Sequence, residues 1–472
     1  MVTRLSPADA AFYRFERSAT PMYVGTLSIL RRPRGGLSLD TLFKTIEQRL
    51  PQIPRYRQKV RDIGIGLGRP VWLDDPDFDI TYHVRRSALP SPGSDEQLHD
   101  LVARLAARPM DKTRPLWEMY LVENLAGNRL ALYTKTHQAL INGIQSPEIN
   151  HVIADRKRRP PDFPEDIWVP ERDPGTTRLV LGAIGDLISG PGAQVRGVVS
   201  TLAGLATDPE ELLGAGRRAV RVVQALARGT APASPLNAAV SHNRRFTVAS
   251  ADLDDYRRVR ARYNCSVNDV MIAVIAGALG KWLMSRGYAL PPTRTVRAMI
   301  PLPVRTGGDL DHSGPGQLIG HVVPYLVTLP IGERNAGVRL SQIAHMTEAL
   351  PGAAGLLDAR TIVALSGFAP PTLHGMSIRV ATSYPSLSKR AFNLLISNAP
   401  GAQSQMYVAG VKLLESYAVP PLLPGEVLAI GVTSYNERVY FGINADRDAM
   451  SDVELLPGLL GEALEELLDA SR

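Results

Sequence analysis

His137 and Gln138 stand side by side where a patterned segment gives way to an Asn142-Gly143 turn pair, within Thr136-His137-Gln138-Ala139-Leu140-Ile141-Asn142-Gly143. An imidazole can accept a proton near neutral pH, whereas the adjacent carboxamide can only donate and accept hydrogen bonds. The pair therefore suits proton transfer by His137 or positioning of a polar substrate by Gln138. The ordinary alternative is a histidine bonded locally at a strand end. Cys265, the one cysteine of the chain, is expected to pack rather than react, because no histidine stands at a recognisable Cys/His spacing. No metal-ligand cluster is visible, and Gly64-Ile65-Gly66-Leu67-Gly68 lacks the lysine of a phosphate-binding loop and reads as a turn.

The segments on either side must position that pair. From Arg129 to Thr136, Leu130, Leu132 and Thr134 alternate with Ala131, Tyr133 and Lys135, which predicts a short strand ending at His137. Beyond the turn, Ser146-Pro147-Glu148 carries a capping hydroxyl, a residue suited to the first helical position and an acid for the positive end of a helix dipole. His137 and Gln138 thus sit on a strand-to-loop junction, where a rigid element can present a side chain.

The chain has 472 residues, 44% of them hydrophobic and 21% charged, enough for two ordinary lobes each with its own core. A single cysteine excludes an internal disulfide and fits a reducing compartment. No secretory signal is visible and no window approaches the roughly 20 apolar residues of a membrane span, so a cytoplasmic protein with at most peripheral membrane contact is expected. The net charge of +7 raises nucleic acid as a partner, but the basic residues are scattered and Arg156-Lys157-Arg158-Arg159 is the one tight cluster. That cluster reads as the solvated start of a linker. Anionic lipid headgroups and the phosphates of a small-molecule substrate are the functional alternatives, and nucleic acid is not expected. Pro160-Pro161, Pro164, Pro170 and Pro174-Gly175 follow, then two weakly amphipathic stretches, the second with Arg217, Arg218, Arg221 and Arg228. Either a bridge across the lobes or a helix lying on a membrane or lipid droplet fits them. The expected division is therefore 1–155, an intervening 156–242, and 243–472 ending in a helix over Val453 to Leu468.

The octamer resembles the HHxxxDG motif of CoA-dependent acyltransferases. Other segments resemble, in order, the bacterial wax ester synthase/diacylglycerol acyltransferase family: Leu5-Ser6-Pro7-Ala8-Asp9, Thr20-Pro21-Met22-Tyr23-Val24-Gly25, Arg69-Pro70-Val71-Trp72, and Pro115-Leu116-Trp117 for its PLW motif. In the second half, Asn268-Asp269 matches the ND motif, Pro301-Leu302-Pro303-Val304-Arg305 its PVSVR segment, and Ser397-Asn398-Ala399-Pro400 with Asp446-Arg447-Asp448 complete the series. Three positions depart from the pattern. Gln138 replaces the second histidine, Asn142 replaces the aspartate, and His321 follows Gly320 where the family usually has asparagine.

The resemblance implies an α/β protein of two lobes with the chloramphenicol acetyltransferase-like fold and a tunnel between them. It implies acyl-CoA-dependent O-acylation of diacylglycerol to triacylglycerol, or of a fatty alcohol to a wax ester, with no cofactor beyond acyl-CoA as substrate and no metal. The implied catalytic motif is His137, Gln138, Asn142 and Gly143, supported by Pro115, Leu116, Trp117, Asn268, Asp269, Arg305, His321 and Asn398. The base of this reaction belongs at the second histidine, so Gln138 predicts slow catalysis. Two rescues are conceivable, His137 turning inward or His321 reaching the tunnel, with a supporting role behind the loop preferred for His137. Arg305 is the expected partner of the motif aspartate. The alternatives are a non-catalytic lipid or acyl-CoA binder, and transfer to another cell-envelope lipid.

Overall fold

The computed structural model describes residues 3–5, 7–62, 69–141, 148–159, 167–177, 179, 231–303, 322–354 and 392–471. The first half contributes β1 (Thr3–Arg4), α1 (Pro7–Phe15), β2 (Tyr23–Arg31), α2 (Leu39–Glu47), β3 (Gln58–Arg61), β4 (Val71–Asp74), α3 (Ile80–His83), β5 (Val84–Ala88), α4 (Asp95–Ala107), β6 (Trp117–Leu125), β7 (Arg129–His137), α5 (Ile149–Ile153) and β8 (Ala154–Asp155). The second contributes β9 (Arg244–Asp252), α6 (Leu253–Tyr263), α7 (Val267–Ser285), β10 (Val296–Pro303), β11 (Val322–Leu329), α8 (Ala336–Ala354), β12 (Leu394–Pro400), β13 (Tyr407–Val408), β14 (Val411–Val419), β15 (Leu428–Tyr435), β16 (Arg438–Asp446) and α9 (Leu456–Ala470).

Local chemistry sets many of these boundaries. Ser94 accepts from the Gln97 N–H and Gln97 answers on the Ser94 N–H, a reciprocal cap that starts α4, and Ser266 with Asp269 does the same for α7. Asn436 and Glu437 both adopt positive φ, the conformation a two-residue turn needs to join β15 to β16 with the right twist. The alternation along 129–137 does become β7, yet leucines and polar residues alike are buried, because β7 is an interior strand covered on both faces.

The strands form two large mixed sheets and a small one of order β1-β4-β3. One runs β5-β6-β7-β2-β14-β13-β8, the other β11-β10-β12-β15-β16-β9. Residues 407–419 therefore belong to the first lobe's sheet, although they lie within the segment read from sequence as the second lobe. Strand β14 pairs with β2, Ala418 opposite Thr26, and its other side lies against β15 and β16. There Gly431 and Gly442, paired across β15 and β16, let the backbone of Ala418 approach; a Cβ on Gly442 would stand 1.8 Å from the Ala418 carbonyl oxygen. Tyr435 and Tyr440 donate their hydroxyls to the carbonyls of Leu413 and Leu414 across the same junction.

Helix α7 lies at the centre of the second lobe, packed by α6, α8 and α9. It corrects one expectation: Val267–Ser285 is long and apolar enough to cross a membrane, but 78% of its most apolar window is buried against the rest of the lobe. Its apolar composition reflects a helix covered on nearly all sides. The helix expected over Val453 to Leu468 is a short 3-10 turn, Val453–Leu455, running into α9. Of the two amphipathic stretches after residue 175, only Leu179 is described, buried against Val71 and Leu73; the glycine-rich turn at 64–68 also lies outside the described residues.

One buried group opposes this packing. Glu426, in the turn before β15, is 6% exposed, its Oε2 has no hydrogen-bond partner among the described residues, and burial pushes its carboxyl up to about 9. The folded chain therefore holds a proton that the unfolded chain releases above its ordinary carboxyl range. Stability falls as pH rises from about 4.5 to about 9. Glu426→Gln should raise stability by roughly 3 kcal/mol at pH 7. Chemical denaturation at pH 4, 7 and 9 should show the gain growing across the series, and a gain independent of pH would contradict it.

Candidate active site

The end of β7 is fixed by its neighbours before any side-chain chemistry begins. The His137 N–H donates to the Leu116 carbonyl at 3.0 Å, and the Gln138 N–H donates to the Met22 carbonyl at 2.9 Å. The far end of the motif loop is held as well. Thr26 donates its hydroxyl to Glu148 at 3.2 Å, and the Ile149 N–H, first of α5, donates to the Tyr56 hydroxyl at 3.0 Å. Trp117 is fully buried, donates its indole N–H to the Tyr56 carbonyl at 2.8 Å and stacks on His83 at 4.6 Å. Leu116 and Trp117 thus reach both ends of the loop, one through β7 and one through Tyr56, and Pro115 is buried beside them.

His137 faces away from solvent and is fully buried. Its Nδ1 accepts the Ala139 N–H at 2.9 Å, so in the neutral ring the proton sits on Nε2, which lies 3.7 Å from Glu16 Oε2. The rings of Tyr13 and Tyr23 flank it at 6.0 and 5.8 Å. Burial by itself would raise the Glu16 carboxyl, but the polar hydrogens that face it from His137, Lys112 and Tyr23 outweigh it and hold Glu16 at about 2. Lys112 completes the group by ion-pairing with Glu16 and donating to the Tyr13 carbonyl at 3.2 Å.

Two residues back on the same face of β7, Lys135 is also fully buried. Its ammonium caps the end of α4, donating to the Leu105 and Arg108 carbonyls at 3.0 and 2.7 Å, and pairs with Glu118 at 3.3 Å. Burial lowers it to about 8 although Glu118 pulls the other way. A polar spine therefore runs beneath the motif, from Glu16 through His137 to Lys135 and Glu118.

Gln138 differs from all of these. It is half-buried, and its carboxamide has no hydrogen-bond partner among the described residues. In the second lobe, Asn398 of β12 donates to Asn268 of α7 at 2.6 Å, bringing two of the expected residues together. Asp269 serves the fold: one oxygen takes the Ser266 N–H at 2.8 Å and the other the Thr347 hydroxyl at 2.6 Å. Asn142, Gly143, Arg305 and His321 lie outside the described residues, as do Ser146 and Pro147. Cys265 is half-buried, and burial raises its thiol further, the opposite of what a nucleophile needs. Among the described residues no three His, Cys, Asp or Glu side chains are grouped to hold a metal ion.

Glu16, Lys112, Lys135 and Tyr56 were not singled out from sequence. Each meets the motif from a different element, and no periodicity links them. The one available signal was Glu16, a charged residue closing the otherwise mostly apolar α1 just ahead of Pro21-Met22-Tyr23. Because its carboxyl is held low, the stability it supplies is present above about 4.5 and lost as pH falls toward 2. A Glu16→Gln variant should be less stable than the parent at pH 7 and converge on it between pH 4.5 and 2. Thermal melts across that range check this, and a gap that stays constant would contradict it.

Residues 5–271 match a family model described as the wax ester synthase/diacylglycerol acyltransferase catalytic domain, and residues 321–468 match the WS/DGAT C-terminal domain. A probable diacylglycerol O-acyltransferase of Mycobacterium tuberculosis, tgs3, is 71% identical over 265 residues, which are 56% of this chain and 98% of that protein. The solved wax ester synthase/diacylglycerol acyltransferase of Marinobacter aquaeolei is 26% identical, covers 99% of both chains and superposes with a TM-score of 0.71. A starter condensation domain of rhizomide synthetase shares the two-lobed α/β fold at a TM-score of 0.51 and 15% identity, covering 100% of this chain and 93% of its own.

Proposed function

Because the chain belongs to the wax ester synthase/diacylglycerol acyltransferase family, we propose that it is an acyl-CoA-dependent O-acyltransferase that esterifies diacylglycerol to triacylglycerol, slowly. The reading rests on one observation: Gln138, which aligns with the family motif's second histidine, has its backbone locked to Met22 and its carboxamide without a hydrogen-bond partner among the described residues. The acyl group passes from sulfur to oxygen, and the alcohol proton ends on the departing sulfur, so that CoA is released as the thiol. Glutamine cannot take that proton, but it can accept a hydrogen bond from the alcohol and orient it toward the thioester carbonyl. Loss of general-base assistance lowers the rate roughly 10²- to 10⁴-fold, while orientation of the two substrates survives.

His137 does not replace the base in this account. Its Nδ1 lone pair is engaged by Ala139 and its Nε2 is turned to Glu16, so it holds the loop from behind and positions Gln138. Asn268 and Asn398 support the site from the second lobe. Acyl-CoA and diacylglycerol or a fatty alcohol are the partners, met in the cytoplasm at a membrane or lipid-droplet surface. The same amide favours a second reading, a binder of acyl-CoA without turnover.

Incubation with radiolabelled palmitoyl-CoA and dioleoylglycerol separates the two. Triacylglycerol above the protein-free level, abolished in Gln138→Ala, is the expected result. Binding of palmitoyl-CoA without product from any alcohol would establish the binder instead.

A further inference from the structure

A second charged site lies at the junction of the lobes, on the far side of α4. A cleft of about 340 Å³ opens between α4 and β9, and guanidinium groups enter it from both: Arg104 from α4, Arg244 and Arg245 from the start of β9, and Arg447 just after β16. Gln97 adds an amide, and Asp100 is the one carboxylate in the lining.

These arginines do not all serve one purpose. Arg244 is nearly buried and structural: it donates to the carbonyls of Ser241 and Asn243 at 2.7 and 3.0 Å and to that of Ala19, and it lies 3.7 Å from Asp446. Arg245 pairs with Glu454. Arg104 and Arg447 are exposed, and neither guanidinium has a hydrogen bond or ion pair among the described residues. Asp448, the nearest acid to Arg447 in sequence, gives its carboxylate to the Asn243 amide at 3.1 Å. Two planar forks from different lobes therefore face one concavity with no hydrogen bond or ion pair among the described residues, Arg447 acting on the Asp448 carboxyl only through its charge, and they are backed by two more whose positions are fixed. Such forks match phosphate oxygens in geometry as well as charge.

We propose that this cleft binds a phosphate dianion, supplied either by the 3′-phosphate of CoA or by free orthophosphate, gripped by Arg104 and Arg447 across the lobe junction. Only the CoA source rests on the acyltransferase reading; the site itself does not. Arg244 ties the cleft to the Ala19 carbonyl, and the same loop continues to Met22, which holds Gln138, so a ligand here would brace the segment that carries the motif.

Isothermal titration of the full chain with inorganic phosphate, CoA and dephospho-CoA tests this, with Arg104→Gln/Arg447→Gln as the variant. Both residues are exposed, and an unchanged circular dichroism spectrum and melting temperature would show that the variant folds. The variant is expected to weaken phosphate or CoA binding by about tenfold or more while leaving dephospho-CoA unaffected, and Asp100→Asn should tighten binding by removing the opposing charge. Preference for CoA over dephospho-CoA identifies the 3′-phosphate as the source. Equal affinity for those two, with phosphate binding that the variant loses, identifies orthophosphate. Unchanged affinity of the variant for both phosphate and CoA would overturn the site. Because the readout is binding, absence of acyl transfer would leave this result interpretable.

Discussion

Replacing Gln138 with histidine should raise the rate of palmitoyl transfer to dioleoylglycerol by roughly 10²-fold or more, the scale of general-base assistance. The variant needs no new scaffold. Residue 138 is anchored through its backbone N–H to Met22, and the residues before and after the loop are held by Leu116, Thr26 and Tyr56. An imidazole introduced there would have an ordinary pKa of about 6.5, close to the operating pH that makes a base effective. Because the effect is on proton removal in the transition state, kcat should rise with little change in KM. A histidine variant no faster than the parent would mean that the base position is not at residue 138.

The second large effect concerns how the lobes are joined. Gly442→Val should destabilise the chain by about 4 kcal/mol or more, because the first atom added meets backbone rather than a movable side chain. A Cβ on Gly442 would lie 1.8 Å from the Ala418 oxygen and 3.0 Å from its carbonyl carbon. Ala418 cannot retreat, since β14 is bonded into the first lobe's sheet through β2. The strain must therefore either unpair β14 or separate the two sheets, and transfer activity should fall with stability. Gly458→Ala is the control: it lies on α9 with nothing within 4 Å of its Cβ, so the change should be neutral or stabilising by up to about 1 kcal/mol. Guanidinium chloride unfolding of the three proteins makes the comparison, and equal stability of parent and Gly442→Val would contradict it.

Much of this architecture was legible in the residues, for identifiable reasons. The strand before His137 announces itself through alternation, a local signal, and the helix that opens at Asn268-Asp269 was carried by the motif there. Ordered motifs along the whole chain pointed to the family and the two-lobed fold. What remained hidden is non-local. Nothing near Val411 says that β14 leaves its own lobe to pair with β2, and nothing near Lys135 says that its ammonium closes the end of α4. The polar spine under the motif is assembled from the residue after α1 and two interior strands, so only Lys135 and His137 share a spacing and the others share a location alone. The apolar run at Val270 to Leu283 shows the opposite difficulty: its composition admits either a membrane span or a core helix, and only the packing around it decides. His137 is similar. Its residue type suggests a base, whereas Nδ1 is already engaged by Ala139 and Nε2 is turned into the core, 3.7 Å from Glu16.

The pH dependence of single-turnover triacylglycerol formation distinguishes an amide from an imidazole at the base position. With an amide at the base position and His137 committed behind the loop, the parent protein should show no inflection in rate across the histidine range around pH 6.5, whereas Gln138→His should show one. An inflection in the parent that disappears in His137→Ala would contradict the account, because it would make the buried histidine the base.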